Sequence, residues 1–270
     1  MTDLLERIPV IRRAREYHLY SLSGTRYLDL WQNGGRSLLG HRPAGLTTVL
    51  KNTISKGLAA DLPSIYSGRL RRLLQEMFPD YKDFRLTGSA AEGLQLASLY
   101  LNRNIGANDL ADPLTEQGES AAGEVGLWRP MVPDTILREV LFPVLPFSMA
   151  GAPAAVCFRK IPPSGFPGQK PISAVVQAGL LRCLQDLRRF VLPQWFRPDL
   201  LDTCPGWRQK SIYLVPEFGM ELYERVFEGF LEAGVLLNPA APYVSILPGG
   251  EISQGELRKM IGLFFAFPGK

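Results

Sequence analysis

Apolar residues in this chain recur with two periods, and the changes of period mark out its elements. Residues 15–31, REYHLYSLSGTRYLDLW, alternate apolar with polar positions around Ser23 and Gly24, which predicts a β-hairpin or two short strands joined by a turn. From Pro43 the spacing lengthens: Leu46, Val49, Leu50 and Ile54 fall on one helical face, and Gly57 supplies the stop. A second helix is predicted over 67–77, with Leu70, Leu73, Leu74 and Met77 as its apolar face and Phe78-Pro79-Asp80 as its break. A short strand over 84–86 then runs into the turn Thr87-Gly88-Ser89, which opens a third helix.

Residues 103–135 follow no period. Their acidic residues and glycines, closed by WRPMVP, predict a long irregular connection, of a length that compact domains rarely carry without a functional reason or a missing element. Two apolar stretches, 140–147 and 154–158, predict buried strands, and IPPSGFPGQKP after them a loop. Residues 171–191 give the clearest helix, with Val176, Leu180, Cys183, Leu184 and Leu187 in a stripe opposite Arg182, Asp186 and Arg189. Beyond the linker LPQWFRPDLLDTCPGW lies a carboxy-terminal unit of strand 212–215, helix 221–233, strand 235–237, and a second strand and helix. Leu222, Val226, Phe227, Phe230 and Leu231 share one face of its first helix, which Gly234 ends.

Composition narrows the function classes. With 46% of 270 residues hydrophobic, there is material for a sizeable core in one large domain or two unequal ones. The formal charge of +4 is spread over short clusters around Arg12, Arg71 and Arg188, which are separated in sequence and read as solvated helix faces, so no nucleic-acid partner is expected. Cys157, Cys183 and Cys204 are odd in number and share no ligand spacing, and His18 and His41 are the only histidines, so neither a disulfide framework nor a metal site is indicated. The start MTDLLERIPV lacks a signal-peptide pattern and no apolar run is long enough to span a bilayer, which points to a cytoplasmic location without a membrane partner. No G-x-S-x-G, phosphate-loop lysine motif or G-x-G-x-x-G is present, which removes the common hydrolase, nucleotidase and dinucleotide readings.

Two passages in order, GTRYLDLWQNGGRSLLGHRPAGL and FRLTGSAAEGLQLA, resemble the class III aminotransferases, including the glutamate-semialdehyde aminomutases. The first carries Gly24, Tyr27, Leu28 and Asp29 of that family's "G-x-x-Y-L-D" turn, then Gly34, Gly35, Leu39, Gly40, His41 and Pro43 of a glycine-rich passage ending in "L-G-H-x-x-P". The second has Thr87-Gly88-Ser89-Ala90-Ala91 where the family has "S-G-S/T-E-A". The closing stretch FEGFLEAGVLLNPAAPYVSILPGGEISQGELRKMIGLF is similar to the family's last domain. The resemblance implies an α/β fold: a reduced fold-type-I pyridoxal-phosphate-transferase-like large domain over 46–192, and a small α+β domain formed by the two termini. In the latter, a β-rich segment over 1–45 packs with residues 193–270.

Pyridoxal-phosphate chemistry needs a lysine for the imine, an acid for the pyridine nitrogen, a phosphate cup and a surface against the ring. The resemblance places the cup at Thr87, Gly88 and Ser89. Gly88 lets backbone approach an anion, and Ser89 opens a helix whose free N–H groups favour negative charge. Ser89 followed by Glu92 is also a capping box, which would satisfy the same groups without a ligand. The middle of the chain departs from the pattern where the family carries its lysine. Only Lys160, after the strand AAVCFR, and Lys170, in the following loop, stand where an amine could enter a cleft, and no Tyr-His-Gly segment for the ring occurs between Asn102 and Val132. Gly34, Gly35 and His41 occupy the turn that faces substrate or the neighbouring subunit in the family.

The leading expectation is a degenerate aminotransferase-like homodimer, without the catalytic lysine and more consistent with absence of pyridoxal phosphate than with its presence, either non-catalytic or binding a small anionic ligand. An active aminotransferase or aminomutase with a relocated lysine is the first alternative. A structural or regulatory subunit of a full-length relative is the second.

Overall fold

The computed structural model describes residues 3–115, 124–133, 136–149 and 152–267, and the chain divides into two units. Unit 1 joins residues 1–43 to 190–270, and unit 2 is the continuous stretch 44–189.

In unit 1 the amino-terminal strands β1 (Ile11–Arg15), β2 (His18–Ser21) and β3 (Arg26–Asp29) form an antiparallel meander, and β10 (Val235–Leu236) from the far end of the sequence adds to β3 in parallel. The predicted hairpin is thus the second half of a three-stranded unit. The strand β1, IRRAR, escapes prediction because its three arginines are exposed and leave no apolar alternation. Arg12 therefore stands on a strand, not on a helix face as the sequence suggested. A second sheet pairs β8 (Trp207–Lys210), β9 (Tyr213–Pro216) and β11 (Ser245–Ile246). The helices α5 (Met220–Glu232) and α6 (Gln254–Ala266) bring Phe230 and Phe264 to ring centroids 4.9 Å apart, and Trp207 meets Phe264 edge-on at 5.0 Å. Each fully buried aromatic here contributes about 1.5–3 kcal/mol through apolar area removed from water.

Unit 2 holds a four-stranded sheet in the order β4 (Asp83–Thr87), β7 (Ala154–Phe158), β6 (Val140–Pro143), β5 (Val125–Trp128). β5 and β6 run parallel, and β7 is antiparallel to both its neighbours. β6 and β7 are almost wholly buried, which is why their sequences are unbroken apolar runs. The 103–135 stretch is consequently not irregular throughout: it contributes β5, a strand of four residues with a glycine in it, too short to register as a pattern. Residues 116–123 and 134–135 of that connection lie outside the described residues. Beside β5 the carboxylate of Asp112 accepts two hydrogen bonds from Arg129, at 2.8 and 2.5 Å, and both residues are buried.

The helix α3 (Ala90–Leu101) lies on β4 and β7. It can do so because Gly93 has no side chain: a Cβ there would sit 2.8 Å from Phe142 and 2.9 Å from Val156. The helices α1 (Leu46–Ser55) and α2 (Ile65–Met77) pack against α4 (Ala174–Leu187), whose stripe of Ala178, Leu180, Cys183, Leu184 and Leu187 is buried. All three cysteines are free and buried, and burial pushes the Cys183 thiol up to about 12. Among the described residues no helix is long and apolar enough to cross a membrane, and no group of three or more His, Cys, Asp or Glu side chains comes together as a metal site would.

Candidate functional site

In unit 2 the chain leaves β4 at Thr87 and enters α3 at Ala90, so the Gly88 turn joins a strand end to a helix start. The Thr87 hydroxyl, buried, donates to the carbonyl of Ser89 at 2.8 Å and tightens the turn. Ser89 caps α3, its Oγ accepting the Glu92 amide at 3.2 Å. The reciprocal half of a capping box would return the Glu92 carboxylate to the Ser89 amide. It goes one residue further instead: the Gly88 amide donates to Glu92 Oε2 at 2.8 Å. The other carboxylate oxygen, Oε1, pairs with Lys170 Nζ. The Lys170 ammonium and then the Gly88 amide hold the Glu92 carboxyl below the usual carboxylate range. The negative charge that the helix start favours is therefore supplied from within the chain.

Lys170 reaches this turn because its loop is fastened to the edge of the sheet. Gln169 donates from Nε2 to the carbonyl of Leu86 at 3.3 Å and accepts the Leu86 amide on Oε1 at 3.2 Å, pairing with β4 as a strand residue would. Arg85 Nη1 adds a bond to the carbonyl of Pro167 at 3.2 Å. The Lys170 side chain itself is 76% exposed. Lys160 is placed differently. Ala154 pairs with Thr87 and Phe158 with Asp83, so Lys160 leaves the sheet at the end remote from Gly88, beyond a strand length of about 13 Å at about 3.3 Å per residue. Its side chain is exposed and its amide donates to the Tyr100 hydroxyl at 3.2 Å.

The other predicted group lies in unit 1. Trp31 to Arg36 form a tight turn in which Gln32, Asn33, Gly34 and Gly35 all have positive φ, at 47°, 50°, 66° and 97°. Left-handed backbone is costly for the two non-glycine residues. Asp29 offsets it: fully buried, it accepts the amides of Trp31 and Gln32 on Oδ1 at 2.9 and 3.0 Å, while Oδ2 lies 2.7 Å from His41 Nε2. Gln32 Nε2 further donates to the carbonyls of Ile246 and Leu247 at 2.9 and 3.2 Å. His41 thus secures a turn, and Gly34 has open space where a Cβ would stand.

The structure brings together Thr87, Gly88, Ser89 and Lys170. Sequence reasoning missed Glu92 as the partner of both Gly88 and Lys170. The Ser89/Glu92 spacing was its only local signal, since Lys170 lies 78 residues further on.

Comparison with known proteins places this geometry in a fold. No family model matches the chain. An uncharacterized protein of Borreliella burgdorferi is 26% identical to it, covering 99% of the chain and 94% of its own length. A glutamate-1-semialdehyde 2,1-aminomutase of Heliobacterium modesticaldum is 32% identical over 103 residues, which are 36% of this chain and 24% of that enzyme. The crystal structure of an omega-transaminase from Sphaerobacter thermophilus superposes with a TM-score of 0.72 at 13% identity, covering 96% of this chain and 90% of that one. The chain has the pyridoxal-phosphate-transferase fold of the class III aminotransferases, in 270 residues.

Proposed function

We propose that this protein is a pseudoenzyme on the aminotransferase fold, one that forms no imine with pyridoxal phosphate and holds its own carboxylate where the family resemblance puts the cofactor's phosphate. The observation that carries this reading is Glu92, with one oxygen on the Gly88 amide and the other on the Lys170 ammonium. As folded, the turn does not fit a phosphate, which would compete with that carboxylate for the same donor at close range. Pyridoxal phosphate on a lysine supplies an electron sink for carbanion chemistry, and that chemistry begins from an amine held against the aldehyde carbon. Lys160 departs from the wrong end of β4 for this task. Lys170 is near the turn but exposed, with its ammonium turned to Glu92. In this reading the protein is a cytoplasmic homodimer. Light scattering that returned the mass of one chain would remove that part.

The test is reconstitution. Purified protein mixed with pyridoxal phosphate is expected to give no imine absorbance, and borohydride followed by peptide mass mapping is expected to find no stoichiometric adduct. A second reading, an active enzyme using Lys170, is favoured by that lysine's position beside the Gly88 turn. An adduct on Lys170 would establish it and end the proposal.

A further inference from the structure

The sequence divides the arginines of α2 from those at the end of α4, but the fold does not. In unit 2 the helices α1, α2 and α4 enclose an open cleft of about 860 Å³, bordered by Lys56, Arg69, Arg72, Arg182, Arg188 and Arg189. Two of these six cations have carboxylate partners: Arg182 pairs with Asp186 at 2.8 Å and Arg188 with Glu76 at 2.6 Å. Lys56, Arg69, Arg72 and Arg189 have none among the described residues. Six cations less two carboxylates leave a surplus of four positive charges on one cleft.

Cations commonly sit at helix carboxy-termini, where they complement the dipole, and Lys56 and Arg188 are the C-caps of α1 and α4. That account does not extend to Arg69 and Arg72, which lie in the first half and middle of α2. Solvated helix faces do not account for the arrangement either, because they would spread like charges apart, whereas these converge on one concavity and repel one another. Arginine forks match phosphate oxygens in pairs. The half-buried ring of Tyr66 in the same wall offers a flat surface beside them.

We infer that this cleft is a binding site for a compact polyanion carrying two or more linked phosphate groups. Its shape favours that class over nucleic acid. A volume of this size is that of a small-molecule pocket, whereas a duplex or single strand is tracked by a long basic stripe rather than by one compact cleft. Neither the Gly88 turn nor Lys170 borders the cleft, so the inference does not depend on the fate of the cofactor site.

The experiment is calorimetric titration of the full chain with inorganic tripolyphosphate at about 150 mM salt, where exposed charges are screened beyond about 8 Å. One tripolyphosphate per chain is expected. Arg69→Ala with Arg72→Ala, and separately Arg189→Ala, should weaken it by about tenfold or more, the loss of a charge-assisted bond. Arg12→Ala, on the exposed strand β1, should leave it unchanged. If an alanine variant does not fold, as judged by circular dichroism, the glutamine variants at the same positions serve. Binding no tighter than that of sulfate, or unaffected by the cleft variants, would overturn the inference. So would a short DNA duplex or RNA strand that binds more tightly than tripolyphosphate through the same arginines.

Discussion

The imidazole Nε2 of His41 lies 2.7 Å from Oδ2 of Asp29, a carboxylate only 1% exposed. The pair ties the end of the glycine-rich passage to the end of β3, and Oδ1 of the same carboxylate holds the amides of Trp31 and Gln32, where the left-handed turn begins. His41→Ala removes one of three partners from a buried charged group. The expected cost is about 1–3 kcal/mol, read as a shift of the urea midpoint, and a variant as stable as the parent would show that His41 has no such role.

Asp112→Ala should cost more. It strips a buried guanidinium of its two-bond carboxylate partner, and the loss of one member of a buried ion pair is worth about 3–5 kcal/mol. Thermal unfolding of the variant checks it, and a change below about 1 kcal/mol would show that the pair does not stabilise the fold in this way.

Two glycines inside helices should respond in opposite directions. Gly93→Ala drives a methyl group into Phe142 and Val156 and is expected to destabilise by about 1–3 kcal/mol. Gly68→Ala, in α2, meets nothing within 4 Å and gains helix propensity of about 0.5–1 kcal/mol. Chemical denaturation of the two variants side by side would refute the packing argument if both moved the same way.

The contribution of Glu92 depends on pH with a defined sign. Its carboxyl is held below its ordinary range in the folded protein, by Lys170 first and the Gly88 amide second. The stability this gives is therefore present above the ordinary carboxylate range and is lost as pH falls through the lower, folded value. Glu92→Gln should be less stable than the parent near neutral pH, with the difference closing in acid below about pH 4. Melting curves across that range decide it, and a difference that widened in acid would reverse the assignment.

The parts of the fold legible in the sequence were those whose burial is one-sided or complete. β7 reads directly from AAVCF because both its faces are covered, and α4 from its stripe of aliphatic residues. β1 and β8 were illegible for the opposite reason: IRRAR and WRQK carry few apolar side chains, and partner strands define them. At the candidate site, Ser89 and Glu92 were visible as a pair that could cap a helix or leave it open to an anion. What resolved them was Lys170, brought to Glu92 by the bonding of Gln169 to Leu86, a tertiary contact across 83 residues that no local pattern encodes. The basic cleft was hidden likewise, because Arg69 and Arg189 meet only when α2 folds against α4.

Gln169 also has a consequence for how the molecule behaves in company. Among the described residues β4 is the outermost strand of its sheet, and such a margin can recruit a foreign chain into the ladder. By answering both the amide and the carbonyl of Leu86, one side chain occupies the rung where an intruder would begin. The loop that carries it thereby covers part of that margin with bonds from within the chain.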